Sequence, residues 1–189
     1  LYAAWIQVHR AFYPRYLTGE LTHEQQRIER VRTVWQNAGK ALTDAEAIRI
    51  SDWFLEIYES HWKALEGAVA GLHSLQGVQR GVITNGWKAQ QHRKIEKCGF
   101  ASFFKTIVVS TEVGFAKPDP KIFHLAMQQL AVAPHESVFV GDNYDLDIVG
   151  ALNAGMIPIW VNHAGAAAPD PQVRQVSSWA ELTPLVRRI

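Results

Sequence analysis

The sequence predicts an α/β protein in which a parallel sheet with flanking helices follows an α-helical bundle. Residues 1–66 contain helical patterns and no alternating β-branched run, whereas from residue 67 short apolar strands alternate with helices. Alternation at this spacing is typical of a parallel sheet with right-handed crossovers. We therefore expect a helical domain over residues 1–66 and a sheet domain over residues 67–189.

Capping signals mark the helices of the first domain. Thr22 and Thr43 each begin a capping box, spelled T-H-E-Q and T-D-A-E. The helices that they begin are expected to reach Asn37 and His61, and Pro14 is expected to help end an earlier helix. The many aromatic residues at helical spacing are typical of a core, with a substrate-facing surface as the alternative for a few of them.

Apolar runs in the second domain predict its strands. The runs are Arg80–Thr84, Thr106–Ser110, Ser137–Val140 and Met156–Val161. Pro158 favours an edge position for the last strand, because proline cannot donate to a ladder. Asp119 followed by Pro120 is typical of a helix start, and Ser178 is expected to cap a terminal helix.

Composition narrows the range of functions. The chain of 189 residues has a formal net charge of +1, which gives no general electrostatic reason to expect a nucleic-acid or membrane partner. Cys98 is the single cysteine, which excludes a disulfide framework and a multi-cysteine metal site within the chain. No apolar run approaches the roughly 18 residues of a membrane-spanning helix. We expect a cytoplasmic protein, and the sequence leaves its oligomeric state open.

Polar groups follow the first predicted strand and precede a later helix. Thr84, Asn85 and Gly86 bring a hydroxyl, an amide and backbone N–H groups to a helix N-terminus, which suits an oxyanion or phosphate. A plain N-cap with a turn glycine is the alternative. Lys117, before a helix that starts with proline, is either a fixed inward charge or a solvated loop lysine.

An acidic loop follows the strand that ends near Gly141. It contains Asp142, Asp145 and Asp147, and hard carboxylate oxygens of this kind suit Mg²⁺. The alternative is an acidic helix N-terminus with Asp142 or Asn143 as its N-cap. An anion site, a lysine and a cation site at one edge of a sheet would together form a clamp for a transferring phosphoryl group.

Three motifs carry a resemblance to a known family. They are I-T-N-G at 83–86, A-K-P-D-P-K-I-F at 116–123 and V-G-D-N-Y-D-L-D-I-V-G-A at 140–151. In order and spacing they resemble the second, third and fourth motifs of the haloacid dehalogenase (HAD) superfamily of phosphohydrolases. The resemblance implies a Rossmann-like core over residues 67–189 and a helical cap domain over residues 1–66.

The resemblance also implies roles for individual residues. Thr84 and Asn85 would bind the phosphoryl group, together with the backbone after them. Lys117 would steady the negative charge of the substrate and of an aspartyl intermediate. Asp142 would ligate Mg²⁺, and Asp147 would support the metal or its waters indirectly.

The family's first motif, D-x-D-x-T, has no counterpart in the sequence before Thr84. Asp44 and Asp52 are the only aspartates there, and both lie in segments that are predicted to be helical. The resemblance therefore predicts that the nucleophilic aspartate lies upstream of Leu1, and that the chain as given is inactive.

The resulting hypothesis is a Mg²⁺-dependent phosphatase of a small phosphomonoester, such as a nucleoside monophosphate or a sugar phosphate. One alternative is a hydrolytic 2-haloacid dehalogenase, which needs no metal and whose fourth motif lacks the Gly-Asp pair found at Gly141-Asp142. The other is a non-catalytic phosphate-binding scaffold, which the missing first motif supports.

Overall fold

The computed structural model describes residues 2–189, and the side chains of residues 3–189. The chain divides into two compact units, one ending at Trp62 and the other formed by Lys63–Ile189. Among the described residues, no helix is both long enough and apolar enough to cross a membrane.

The first unit is helical. Its helices are α1 (Tyr2–Leu17), α2 (His23–Asn37) and α3 (Asp44–Ser60). Both predicted capping boxes are confirmed. The Thr22 hydroxyl accepts the Gln25 N–H at 3.1 Å, while the Gln25 side chain accepts the Thr22 N–H at 2.8 Å. Thr43 and Glu46 form the same pair of bonds at the start of α3.

One expectation for this unit was wrong. Helix α1 does not end at Pro14 but continues to Leu17, and the Pro14 carbonyl still accepts the Thr18 N–H at 3.0 Å. The aromatic residues divide between core and surface, which the sequence left open. Trp5 and Trp35 pack against a buried cluster, whereas other aromatic side chains are exposed. The exposed ones on α3 are Trp53, Phe54 and Tyr58.

The second unit alternates strands and helices. Its strands are β1 (Gly81–Thr84), β2 (Thr106–Val109), β3 (Val138–Gly141), β4 (Ile157–Val161) and β5 (Arg174–Val176). Its helices are α4 (Ala68–Ser74), α5 (Lys88–Lys97), α6 (Ser110–Val113), α7 (Pro120–Leu130), α8 (Gly150–Asn153) and α9 (Trp179–Val186). The predicted caps of the last long helices are confirmed, because Asp119 accepts the Lys121 N–H and Ser178 accepts the Glu181 N–H.

The strands pair in parallel, as predicted. Strand β1 pairs with β2, and β4 lies between β3 and β5. The edge position predicted for β4 was therefore wrong. Pro158 is accommodated because the pairing with β5 begins only at Ile159, so at Pro158 β4 has a partner strand on one side only. Strand β5 was not predicted from the sequence, and Ser110, predicted to end a strand, begins α6.

Helix α7 packs an apolar face on the strands and on α8. Its buried residues recur at helical spacing, namely Ile122, Phe123, Ala126 and Met127. Gly150 begins α8 directly against Phe123, where a Cβ atom would lie 2.7 Å from ring carbons. This close approach joins the start of α7 to the segment that follows β3.

Gly150→Ala is expected to lower the free energy of unfolding by about 1–3 kcal/mol, the usual cost of overpacking a core. Urea unfolding followed by circular dichroism measures the change. Asn153→Ala is the matched control, because it places the same residue at an exposed position of the same short helix. Equal stabilities of the two variants would contradict the packing argument.

Candidate functional site

Asn85 joins the loop after β1 to the loop before α7. Its side-chain nitrogen donates to the Lys117 carbonyl at 2.9 Å, and its side-chain oxygen accepts the Lys117 N–H at 2.8 Å. The carboxamide of Asn85 is thus matched to both peptide groups of Lys117. The Asn85 side chain, predicted to bind phosphate, holds Lys117 in place here.

Lys117 points inward instead of into solvent. Its Nζ lies 2.6 Å from Asp147 Oδ1, and the two side chains are 13% and 5% exposed. The same ammonium lies 5.5 Å from the centroid of the Phe139 ring, a cation–π distance. Asp147 Oδ2 accepts the Asn143 N–H at 3.0 Å. Each carboxylate oxygen of Asp147 therefore has a donor from within the protein.

Gly141 makes room for Asp147. A Cβ atom at Gly141 would lie 2.3 Å from the Asp147 Cβ and 2.5 Å from its carboxyl carbon. Real Cβ atoms do not approach one another so closely, so any side chain at this position would displace Asp147. The glycine of the V-G-D sequence thus serves the carboxylate six residues later.

The Asp142 carboxylate, unlike that of Asp147, is not engaged by other groups of the described chain. Its side chain is exposed and has no hydrogen bond or ion pair within the described part of the chain, while its carbonyl accepts the Trp160 indole N–H at 3.0 Å. Asn143, one of the two predicted N-caps, accepts the Leu146 N–H at 2.9 Å. It begins a π-helical segment, Tyr144–Val149, a type of helix that is frequent at functional sites.

Thr84 ends β1, and Gly86 lies in the turn between β1 and α5. The Thr84 hydroxyl donates to Gln91 Oε1 at 3.1 Å. The Gly86 N–H donates to Ser110 Oγ at 3.0 Å, and the Gly86 carbonyl accepts the Thr111 hydroxyl at 2.8 Å. These groups are held by protein partners that could be exchanged for a ligand.

Gln91, Ser110 and Thr111 were not predicted from the sequence as parts of this site. Ser110 and Thr111 follow an apolar strand that is parallel to β1, so their hydroxyls lie at the same sheet edge as the predicted phosphate site. The position of these two hydroxyl residues directly after an apolar run is visible in the sequence. No comparable pattern points to Gln91, because its contact depends on the path of the turn.

An ion pair also ties α5 to α6 beside this turn. Lys88 Nζ lies 2.6 Å from Glu112 Oε1 on the surface. The hydrogen bond from Lys88 is the main cause that lowers the pKa of Glu112.

The carboxylates fit a magnesium site only in part. No group of three His, Cys, Asp or Glu residues that could hold a metal is found within residues 2–189. Mg²⁺, however, is usually held by one or two carboxylates together with substrate phosphate and water. Asp142 has a free carboxylate for this purpose, whereas both oxygens of Asp147 are engaged. The donor set suits a Mg²⁺ ion that the substrate helps to bind.

Comparison with known families identifies the class of protein. Residues 4–161 match the sequence model described as haloacid dehalogenase-like hydrolase. The match covers most of the chain, and the chain belongs to this family. The resemblance inferred from the three motifs is therefore confirmed.

Curated relatives include several phosphatases. The chain is 36% identical over 121 residues to pyrimidine 5'-nucleotidase YjjG of Escherichia coli, covering 63% of this chain and 54% of that protein. It is 44% identical over 87 residues to glyceraldehyde 3-phosphate phosphatase of Methanothermobacter thermautotrophicus, covering 46% and 38%. It is 39% identical over 113 residues to N-acylneuraminate-9-phosphatase of Homo sapiens, covering 57% and 45%. The chain spans about half, or less, of the length of these relatives.

Solved structures share the fold. The HAD hydrolase YfnB of Bacillus subtilis, described as bound to magnesium, superposes with a TM-score of 0.82 at 22% identity, covering 98% of this chain and 81% of that chain. L-2-haloacid dehalogenase of Xanthobacter autotrophicus gives a TM-score of 0.75 at 19% identity, covering 98% and 85%. The predicted fold class is confirmed.

Lys117→Met is expected to lower the free energy of unfolding by about 3–5 kcal/mol, because it leaves the Asp147 carboxylate buried without its cation. The double variant Lys117→Met/Asp147→Asn is expected to recover much of this loss. Urea unfolding of both variants and of the parent measures the coupling between the two side chains.

Lys121→Met is the control for removing a lysine from this region, because the Lys121 side chain is 73% exposed. Its effect is expected to stay within about 0.5 kcal/mol, as for most surface substitutions. A Lys117→Met variant as stable as Lys121→Met would show that the ion pair adds nothing to stability.

Proposed function

We propose that the protein hydrolyses a small phosphomonoester, such as a nucleoside monophosphate or a sugar phosphate, in a Mg²⁺-dependent reaction. One observation carries this proposal: three loops are joined by direct contacts at a single place. Asn85 binds the backbone of Lys117, and the Lys117 ammonium binds Asp147. These contacts support the proposal because they connect three of the residues that would hold or neutralise a phosphoryl group.

Lys117 would neutralise negative charge on the phosphoryl oxygens during transfer. Its position is fixed from two sides, by Asn85 at the backbone and by Asp147 at the ammonium. A preorganised charge of this kind stabilises a transition state without reorganising during the reaction. Thr84 would exchange its bond to Gln91 for one to a phosphoryl oxygen, next to the N-terminus of α5.

The charges at the site support the proposed requirement for a divalent cation. Lys117 contributes one positive charge, and Asp142 and Asp147 contribute one negative charge each, so these three side chains are net negative. A phosphomonoester is itself an anion and would be repelled by that balance. Bound through Asp142, Mg²⁺ would reverse the sign and withdraw charge from the phosphoryl oxygens.

The activities for which the curated relatives are named support the substrate class. They act, by name, on a pyrimidine nucleotide, on glyceraldehyde 3-phosphate and on N-acylneuraminate 9-phosphate, which are all small phosphate esters. We extend this class to the present protein as a proposal. An aspartate that takes up the phosphoryl group before water releases it is part of the same proposal. That this aspartate lies upstream of Leu1 and that the given chain is inactive stay predictions, as does the cytoplasmic location.

Asp142→Asn is expected to reduce phosphate release by at least about 100-fold, the order of effect of losing one electrostatic contact to the transition state. The native full-length protein is assayed against a panel of nucleoside monophosphates and sugar phosphates, with Mg²⁺ and with EDTA. Since the Asp142 side chain is exposed and has no partner among the described residues, the variant should remain as stable as its parent. Asp170→Asn, an exposed acid in the loop before β5, serves as the matched control.

The same assay separates the alternatives. Release of chloride from 2-chloropropionate without metal, and no release of phosphate, would favour a dehalogenase. Binding of phosphate without turnover of any substrate would favour a non-catalytic scaffold. Either result would overturn the proposed phosphatase.

A further inference from the structure

Arg30 on α2 lacks an acidic partner within the described chain, unlike the arginines near it. Arg27 Nη2 lies 2.5 Å from Asp52 Oδ1. Arg32 Nη2 lies 2.8 Å from Asp44 Oδ1. The helical unit thus supplies carboxylates to the arginines on either side, and none to Arg30.

Arg30 is nevertheless partly withdrawn from water. Its guanidinium carbon lies 4.3 Å from the centroid of the Trp5 ring, and its Nη1 donates to Gln26 Oε1 at 3.2 Å. Burial lowers the pKa of Arg30 to about 10, so the group is still charged at neutral pH. A half-buried cation with only neutral contacts is costly, because burial disfavours an unpaired charge.

Several side-chain polar atoms are buried without a hydrogen-bond partner, and Arg30 Nε and His9 Nδ1 are two of them. Burial, and then the positive charge of Arg30, lower the pKa of His9, so the two groups lie within electrostatic reach and His9 is neutral at pH 7. Buried polar atoms almost always have partners, and an exception is explained by strain, by a functional role, or by a water or ion.

Tyrosine side chains complete the group, which we call the Arg30 cluster: His9, Tyr13, Arg30 and Tyr58. Burial raises the pKa of Tyr13 to about 12. Tyr13 is therefore a neutral phenol at pH 7 and does not compensate the guanidinium. Tyr58 also acts electrostatically on Arg30 and is 43% exposed, so solvent reaches the cluster on that side.

We propose that the Arg30 cluster binds a small oxyanion, either a carboxylate or a phosphate group, within the helical unit. A guanidinium presents a planar fork of donors that matches two oxygens of such a group. The oxyanion would give Arg30 Nε its missing acceptor and would balance the one uncompensated charge of the cluster. The stacking on Trp5 explains how the cation is held, but it leaves Nε without an acceptor.

The test follows the Nε–Hε resonance of Arg30 by NMR in the native protein, with Arg30→Lys used for assignment. Inorganic phosphate, acetate or chloride is added at matched ionic strength. We expect a saturable shift with phosphate or acetate, none with chloride, and a much smaller shift for Arg32, which already has carboxylate partners. A response to one oxyanion alone identifies that group as the ligand.

The ring resonances of His9 provide a second reporter in Arg30→Lys. Lysine keeps the charge but loses the planar fork, so the oxyanion is expected to bind about tenfold more weakly. An Arg30 resonance that moves no more than that of Arg32, or that moves equally with chloride, would overturn the proposal and leave a structural cation–π contact. Because the readout is on Arg30 and needs no turnover, this result is independent of the proposed phosphatase activity.

Discussion

The buried ion pair between Lys117 and Asp147 fixes how the loops of the candidate site meet. It joins the loop before α7 to the π-helical segment after β3 at 2.6 Å, with both side chains largely withdrawn from water. Such a pair is stable only when further hydrogen bonds satisfy the remaining atoms. The Asn143 N–H satisfies the second Asp147 oxygen, and Asn85 fixes the Lys117 backbone. The whole arrangement depends on these mutual contacts.

Two glycines, which have no side chain, are as important to this arrangement as the charged residues. Gly141 leaves the space that Asp147 fills, and Gly150 leaves the space under Phe123 that brings α7 against α8. Neither glycine adopts a positive φ, so conformational freedom does not explain them. Both are required because another group approaches too closely for a Cβ atom. Small residues in the fourth motif thus serve packing, which in turn places the charges.

Local chemistry made much of the fold predictable. The capping boxes at Thr22 and Thr43 depend on residues three apart, so the sequence shows them directly. The contacts of Gly86 with Ser110 and Thr111 join residues 24 and 25 positions apart, so they follow from the pairing of β1 with β2 and not from a local pattern. Pro158 led to a wrong edge assignment for β4 for the same reason. Whether a proline fits within this strand depends on where the pairing with β5 begins.

Lys117 and Arg30 are both withdrawn from water, but they differ in how their charge is balanced. Lys117 faces a carboxylate, and the nearby Asp142 adds a second negative charge, so under the proposed function an anionic substrate would need a metal ion there. Arg30 contacts the neutral groups of Trp5 and Gln26, and Arg27 adds a second positive charge to its surroundings. The same electrostatic rule therefore underlies both proposals: a divalent cation beside the ion pair of the sheet unit, and an oxyanion beside the unpaired guanidinium of the helical unit.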